Sequence, residues 1–303
     1  MQRRYVTADV FTDRLFGGNP VAVVLDAAGL STDQMQAITS EFNYSETTFI
    51  LPPKDPAHAA WVRIFTPSRE IPFAGHPNVG TAFVLAQEWA SRGETVPDQF
   101  VFEEGAGLVP VTLMREGGVV IGGELRAPEP LSRRSLLPAA HAASCLSLSP
   151  DDIRVDAHAP QVVSVGLPFL VVELASRDAL RRAKPNRDAY DSWLPLDGAT
   201  SAYAYTRETN EAGYDLQARM FTPRMTEDPA TGSATAAAAA LLAALQGEAD
   251  KEFRLQIGQG VDMGRPSLLR TRIRKQGGVV TDVHVGGRCV GVMQGHFHLP
   301  GAA

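Results

Sequence analysis

The chain has 303 residues, 44% hydrophobic and 20% charged, with a net charge of −6. Its length is at the upper limit for one core, so two domains are expected, and the negative balance without a dense basic run argues against nucleic acid as a partner. No apolar run is long enough to span a membrane, since Ala234 to Leu245 is too short and too rich in alanine. Met1-Gln-Arg-Arg-Tyr-Val enters a strand-like pattern with no apolar signal region, which points to the cytoplasm and to Cys145 and Cys289 as free thiols.

Tyr5 to Phe11 alternates as a strand, Gly17-Gly18-Asn19-Pro20 is a turn, and Val21 to Leu25 reads as a buried strand. Ser31 caps a helix that continues to about Phe42. Asn43-Tyr44-Ser45 breaks it, and Glu46 to Leu51 is a β-branched, aromatic strand with a carboxylate at its mouth. Ala60 to Phe65 is a further strand. After a loop to Pro77, an apolar helix is predicted over Asn78 to Trp89, with Pro77 suited to its first turn. Phe100 to Phe102, Leu108 to Met114 and Val119 to Leu125 are strands. Ala127 to Ala143, rich in Pro, Ala, Arg and Ser, reads as a linker into a second unit. Ser149 starts a short helix, Val162 to Leu174 is a strand pair broken by a turn, and Arg177 to Ala183 is helical. Ala202 to Thr206 and Asp215 to Phe221 are strands. Glu227-Asp-Pro-Ala-Thr-Gly-Ser-Ala234 then leads into Thr235 to Leu245, a helix so rich in alanine and leucine that burial is expected on every face. Strands over Phe253 to Ile257, Ser267 to Ile273, Val279 to Val285 and Val290 to Met293 close the chain.

The sequence repeats itself. Arg63-Ile-Phe-Thr-Pro67 recurs as Arg219-Met-Phe-Thr-Pro223, Gly75 and Gly232 open the two apolar helices, and Gly18-Asn-Pro-Val-Ala-Val-Val24 matches Gly166-Leu-Pro-Phe-Leu-Val-Val172. Three landmarks in one order indicate two copies of a strand-rich unit, each with a central apolar helix. Residues 1–126 and 127–303 are the expected domains, with about 288–303 a candidate addition to the first. A pseudo-twofold pair would turn its two helix N-termini, with their free N–H groups, toward one shared cleft suited to an anion such as a carboxylate.

Asn43-Tyr-Ser-Glu-Thr-Thr-Phe49, Phe73-Ala-Gly-His-Pro-Asn-Val-Gly80 and Glu227-Asp-Pro-Ala-Thr-Gly-Ser-Ala234, with Gly18-Asn-Pro20 and Gly264-Arg-Pro-Ser267, resemble the phenazine-biosynthesis PhzF family. The resemblance spans almost the whole chain. It implies an α+β fold of the diaminopimelate-epimerase type: two similar domains from an internal duplication, each a partly open, barrel-like sheet around a central helix. It implies a homodimer, and a cofactor-independent isomerase of a small carboxylic acid like the family's trans-2,3-dihydro-3-hydroxyanthranilate isomerase. An amino-acid epimerase using carboxylates, or a member that only binds a metabolite, are the alternatives.

Read from the residues alone, Glu46 is either a proton carrier in a closed pocket or a solvated glutamate at a strand end. His76 is either a neutral, hydrogen-bonding imidazole beside a helix dipole or a packing histidine, and Asp228 is either a site carboxylate or a cap before Pro229. The resemblance makes Glu46, His76 and Asp228 the catalytic set, with Glu46 moving the proton, and Gly75, Asn78, Thr231, Gly232 and Ser233 the substrate-binding set. Glu227 is expected to be a supporting loop residue. The counterpart of Glu46 falls within Ser201 to Thr206, where there is no glutamate, so the halves are chemically unequal. Neither helix mouth carries a cysteine, which disfavours a two-thiol racemase. Gly258-Gln-Gly260 with Gly264 lacks the following helix of a dinucleotide loop, and His296 with His298 has no third ligand nearby, so no cofactor or metal is expected.

Overall fold

A computed structural model describes residues 2–299. The chain divides into two units, one of Met1–Leu125 with Gly286–Ala303 and one of Arg126–Val285.

In the first unit the order is β1 (Gln2–Val10), β2 (Asn19–Val24), α1 (Thr32–Phe42), β3 (Glu46–Leu51), β4 (Ala60–Thr66), β5 (Arg69–Ile71), α2 (Gly75–Ser91), β6 (Gln99–Glu104), β7 (Gly107–Glu116) and β8 (Val119–Arg126). Antiparallel β1 and β2 are followed by a parallel β2–β3 pair across α1 and an antiparallel β3–β4 pair. The β4–β5 hairpin leads to α2, β6 returns parallel to β4, and β6, β7 and β8 form an antiparallel meander. The local chemistry explains the helix ends. Ser31 and Gln34 form a reciprocal capping box at the start of α1, and Asn43, with φ of 53°, ends the helix in the left-handed conformation. α2 begins at Gly75, three residues before the predicted start. Pro77 is tolerated inside it because the first turn has no intrahelical acceptor for its missing N–H.

The second unit contains β9 (Ser132–Leu136), α3 (Ala139–Cys145), β10 (Gln161–Ser164), β11 (Pro168–Glu173), α4 (Arg177–Arg182), α5 (Arg187–Trp193), β12 (Ala202–Thr206), β13 (Leu216–Phe221), β14 (Glu227–Asp228), α6 (Gly232–Ala244), β15 (Lys251–Gln259), β16 (Ser267–Gln276) and the first part of β17 (Val279–His298), whose residues from Gly286 belong to the first unit. The pairing sequence of the first unit recurs: β10–β11 antiparallel, β11–β12 parallel, β12–β13 antiparallel, the β13–β14 hairpin, α6, and β15 parallel to β13. α6 is buried along almost its whole length, from Gly232 to Ala243.

Two expectations are corrected, and one helix is added. The segment expected as a linker, Ala127 to Ala143, forms β9, paired with β10, and most of α3, whose Ala142, Ala143 and Cys145 are buried in the core of the second unit. The two last strands predicted over Val279 to Met293 are one continuous strand, β17, whose residues from Cys289 to His298 pair with β1. α5, which the sequence pattern did not suggest, begins at a capping Asn186 and buries Tyr190.

Gly80 sets how closely α2 lies on the sheet. A Cβ there would meet Val21 Cγ1 at 2.5 Å and Val10 Cγ2 at 2.9 Å. Gly80→Ala should therefore lower stability by about 1–3 kcal/mol, the range for overpacking a core, in urea unfolding monitored by circular dichroism. An unchanged midpoint would show that α2 can move off β2 freely.

Candidate active site

The sequence of the first unit brings Glu46 and His76 together. Gly18 has φ of +58°, and a Cβ on it would lie 2.3 Å from the Val10 carbonyl oxygen, so only glycine fits this turn. The turn delivers Asn19 and Pro20 to the start of β2. Asn19 Oδ1 accepts a hydrogen bond from the Ser45 hydroxyl at 3.2 Å. Ser45 follows the left-handed Asn43 and precedes Glu46, the first residue of β3. On the facing helix, His76 Nε2 lies 3.3 Å from the Pro20 carbonyl oxygen and 3.6 Å from Glu46 Oε2. A carbonyl oxygen only accepts, so in its hydrogen bond to Pro20 the His76 Nε2 is the donor and carries the proton. Both side chains are largely buried.

This position changes the carboxyl group. Burial pushes the Glu46 pKa up to about 7, with the Ser45 hydroxyl pulling weakly the other way. The group is thus divided between acid and base near neutral pH, which is the condition for accepting and returning a proton. Gly75, His76 and Asn78 all fall in the first turn or so of α2, and no side chain caps that helix. Asn78 is fully buried, and neither its amide nitrogen nor its oxygen has a hydrogen-bond partner.

The mouth of α6 is built differently. Asp228 ends the short β14, and its carboxylate accepts the Thr231 hydroxyl at 2.5 Å. Gln259, fully buried at the end of β15, accepts the Thr231 N–H at 3.1 Å and donates to Asp228 O at 2.8 Å and Thr231 Oγ1 at 3.0 Å. Ser267 Oγ holds the Pro229 carbonyl at 3.0 Å. Thr231 therefore commits both its donors to holding Asp228 and the turn. Gly232 and Ser233 begin α6, which also lacks a side-chain cap. Glu227 is engaged by Arg219 at 2.6 Å and 2.9 Å, and Arg219 also binds the last carbonyls of α4. Arg63 and Glu70 make the same bidentate pair in the first unit, at 2.7 Å twice.

Ser201 takes the place of Glu46 in the second unit. Ala22 opposite Thr47 corresponds to Leu170 opposite Ala202 when Gly18 is set against Gly166, which puts Ser201 level with Glu46. Cys145 and Cys289 are both buried, and burial pushes their thiols up to about 11 and about 12, the opposite of an activated thiol. Among the described residues no group of three or more His, Cys, Asp or Glu side chains could hold a metal, and no helix is long and apolar enough to cross a membrane. Gln259 was not picked out by sequence reasoning. Its only trace there was the Gly258-Gln-Gly260 run rejected as a nucleotide loop.

Residues 8–295 match the family described as phenazine biosynthesis-like protein, PhzC-PhzF. An uncharacterized isomerase of Mesorhizobium japonicum is 40% identical over 98% of this chain and 99% of its own length. The trans-2,3-dihydro-3-hydroxyanthranilate isomerase of Pseudomonas aeruginosa is 35% identical, again over 98% and 99%. The crystal structure of a Bacillus anthracis PhzF-family protein superposes with a TM-score of 0.88 at 23% identity, covering 99% of this chain and 100% of that one. That likeness describes the fold.

The raised Glu46 pKa has a stability consequence. The fold favours the neutral acid, so its contribution is complete below the ordinary value of 4.5 and is lost as pH rises through about 7. Glu46→Gln removes the burden of the buried charge. Relative to the wild type, it should gain roughly 2–3 kcal/mol between pH 4.5 and pH 8, at about 1.4 kcal/mol per pKa unit. Parallel denaturation curves for the two proteins at both pH values would show that the Glu46 carboxyl is not held out of water.

Proposed function

We propose that this chain, which belongs to the phenazine biosynthesis-like (PhzC-PhzF) family and is an isomerase, moves a double bond within a small carboxylic acid by carrying one proton on Glu46. The acid is of the kind named for the Pseudomonas aeruginosa relative, trans-2,3-dihydro-3-hydroxyanthranilate. The observation that carries this reading is a single carboxyl group, pushed up to about 7 by burial, with the Nε2 of a buried histidine 3.6 Å away.

The chemistry closes on itself. The Glu46 carboxylate takes a proton from one carbon of the substrate, and the electron pair of that C–H bond enters the π system. The double bond shifts, and the protonated Glu46 returns the proton to another carbon. Nothing is oxidised or reduced, so the reaction needs no cofactor. His76, with its proton on Nε2, lies where it can stabilise negative charge on Glu46 or on a substrate oxygen. Asp228 is proposed to assist, its carboxylate held by the Thr231 hydroxyl and its backbone carbonyl by Gln259. The uncapped first turns at Gly75 and Asn78 and at Gly232 and Ser233 are proposed to supply N–H donors for carboxylate oxygens. The recurring strand pairing and the recurring Arg–Glu pair support an origin of the two units by duplication, as in the diaminopimelate-epimerase-type fold.

The test is turnover of trans-2,3-dihydro-3-hydroxyanthranilate in heavy water, followed by NMR. The newly saturated carbon should carry the substrate's own hydrogen, with deuterium entering there only to the extent that protonated Glu46 exchanges with solvent before it returns the proton. Glu46→Gln should lower kcat by about 10²–10⁴ with KM within about threefold, the size expected for removing one acid–base group. Full activity of Glu46→Gln would sink the mechanism, and inversion at a carbon without double-bond movement would replace isomerisation with epimerisation.

A further inference from the structure

Glu104 is the last residue of β6, and neither of its carboxyl oxygens, both shielded from solvent, has a hydrogen-bond partner. The strand register shows what the position is. Ala60 pairs with Phe102 across β4 and β6, and Leu216 pairs with Ile257 across β13 and β15. Ala60 and Leu216 each lie three residues before the matched arginines Arg63 and Arg219. Phe102 therefore corresponds to Ile257, and two residues further on Glu104 corresponds to Gln259. The next residues agree. A Cβ on Gly105 would lie 3.1 Å from Pro72 Cα, and one on Gly260 would lie 3.2 Å from Pro229 Cα. Gln259 ties together the turn before α6 by one accepted and two donated hydrogen bonds. The matching turn before α2 runs from Ile71 to Ala74, and Ala106 N–H already binds Pro72 O at 3.1 Å beside it.

We propose that Glu104 is a positioning residue that orders the α2 mouth for an anionic group of the substrate, filling in the first unit the place that Gln259 fills in the second. The fully buried Asn78 acts on this carboxyl, although the polar side-chain atoms of both residues are without a hydrogen-bond partner. A carboxyl group can imitate a carboxamide only while it is protonated, since only then has it both a donor and an acceptor. Burial, opposed by Asn78, pushes Glu104 up to about 8, so at pH 7 it is the neutral acid. Neighbouring charge does not produce the shift. Glu103 accepts the N–H groups of Lys54 and Asp55 and pairs with His58. The titratable groups at the mouth of α2 itself are Glu46 and His76. On ionising, Glu104 loses its donor and places a negative charge where the substrate carboxylate binds, so it governs KM at high pH while Glu46 governs kcat near neutrality. This rests on the proposed isomerase reading for its substrate, but not for the role in the turn.

Glu104→Gln and Glu104→Ala test it in two ways. Hydrogen exchange over residues 71–78 needs no substrate. After correction for intrinsic rates, the wild type should exchange about tenfold faster at pH 9 than at pH 7, matching the rise of the ionised fraction from about one in eleven to about ten in eleven for a pKa of about 8. Glu104→Gln should stay slow at both pH values, and Glu104→Ala should be fast at both. In kinetics with trans-2,3-dihydro-3-hydroxyanthranilate, the wild-type KM should rise about tenfold over the same interval. The KM of Glu104→Gln should stay flat, with the kcat profile the same in both. An equal KM rise in Glu104→Gln, or exchange over 71–78 indifferent to both substitutions, overturns the proposal. If the wild type does not turn over this acid, the substrate reading fails, and the exchange measurement alone decides the role of Glu104.

Discussion

Keeping one carboxyl group out of water at the first residue of a strand is the constraint to which the rest of the first unit is fitted. Water would return Glu46 to an ordinary glutamate, ionised at any physiological pH. What excludes it is a set of backbone decisions made far apart in sequence. Gly18 turns the chain where no side chain has room, Asn43 stops α1 in the left-handed region, and Gly80 lets α2 lie directly on Val10 and Val21. His76, one helical turn before Gly80, is brought to the Pro20 carbonyl by that approach. The chemistry of Glu46 thus depends on close packing rather than on a neighbouring charge, since the causes of its shift are burial and one hydroxyl.

The two helix mouths show how one scaffold is made to carry unequal chemistry. At α6 the turn is closed by a neutral amide that cannot titrate, and the carboxylate of Asp228 is held by Thr231. At α2 the matching position carries a titratable group, the strand that begins with Glu46 has Ser201 as its counterpart, and polar atoms of Asn78 and Glu104 are left unsatisfied. Buried polar groups without partners lower stability by about 1–3 kcal/mol each. A protein retains them where something other than stability is being selected.

Much of this was legible in the sequence because it rests on local signals. Ser31, Gly18-Asn-Pro20 and the alanine run before Leu245 each carry their own structural instruction, and the repeated Arg-x-Phe-Thr-Pro landmark marked two comparable units. Composition misled where tertiary contacts decide. Ala127 to Ala143 looks like a linker because β9 is exposed along most of its length and α3 is built from small residues, yet both pack on the second unit. β17 looks like two strands because Gly286 and Gly287 interrupt its apolar pattern. Gly286 is needed where it stands, since a Cβ there would lie 2.5 Å from the Gly123 carbonyl oxygen. Gln259 and Glu104 were invisible for another reason. A glutamine between two glycines, and a glutamate following another glutamate, say nothing until strand register shows that they occupy the same position.

The long strand β17 has a consequence for how the protein comes into being. Residues 126–285 form the second unit from one uninterrupted stretch, whereas the first unit takes its closing strand from the far end of the chain. β1 pairs with β2 nearby, but its other edge is covered only by Cys289 to His298. During synthesis from the N-terminus, the second unit has all its residues while β1 still lacks one neighbour. For that interval β1 is an open edge on the nascent chain, able to pair with any extended segment it meets. β1 thus waits for a neighbour that follows the whole of the second unit in the chain, and its sheet closes only when Cys289 to His298 have been made.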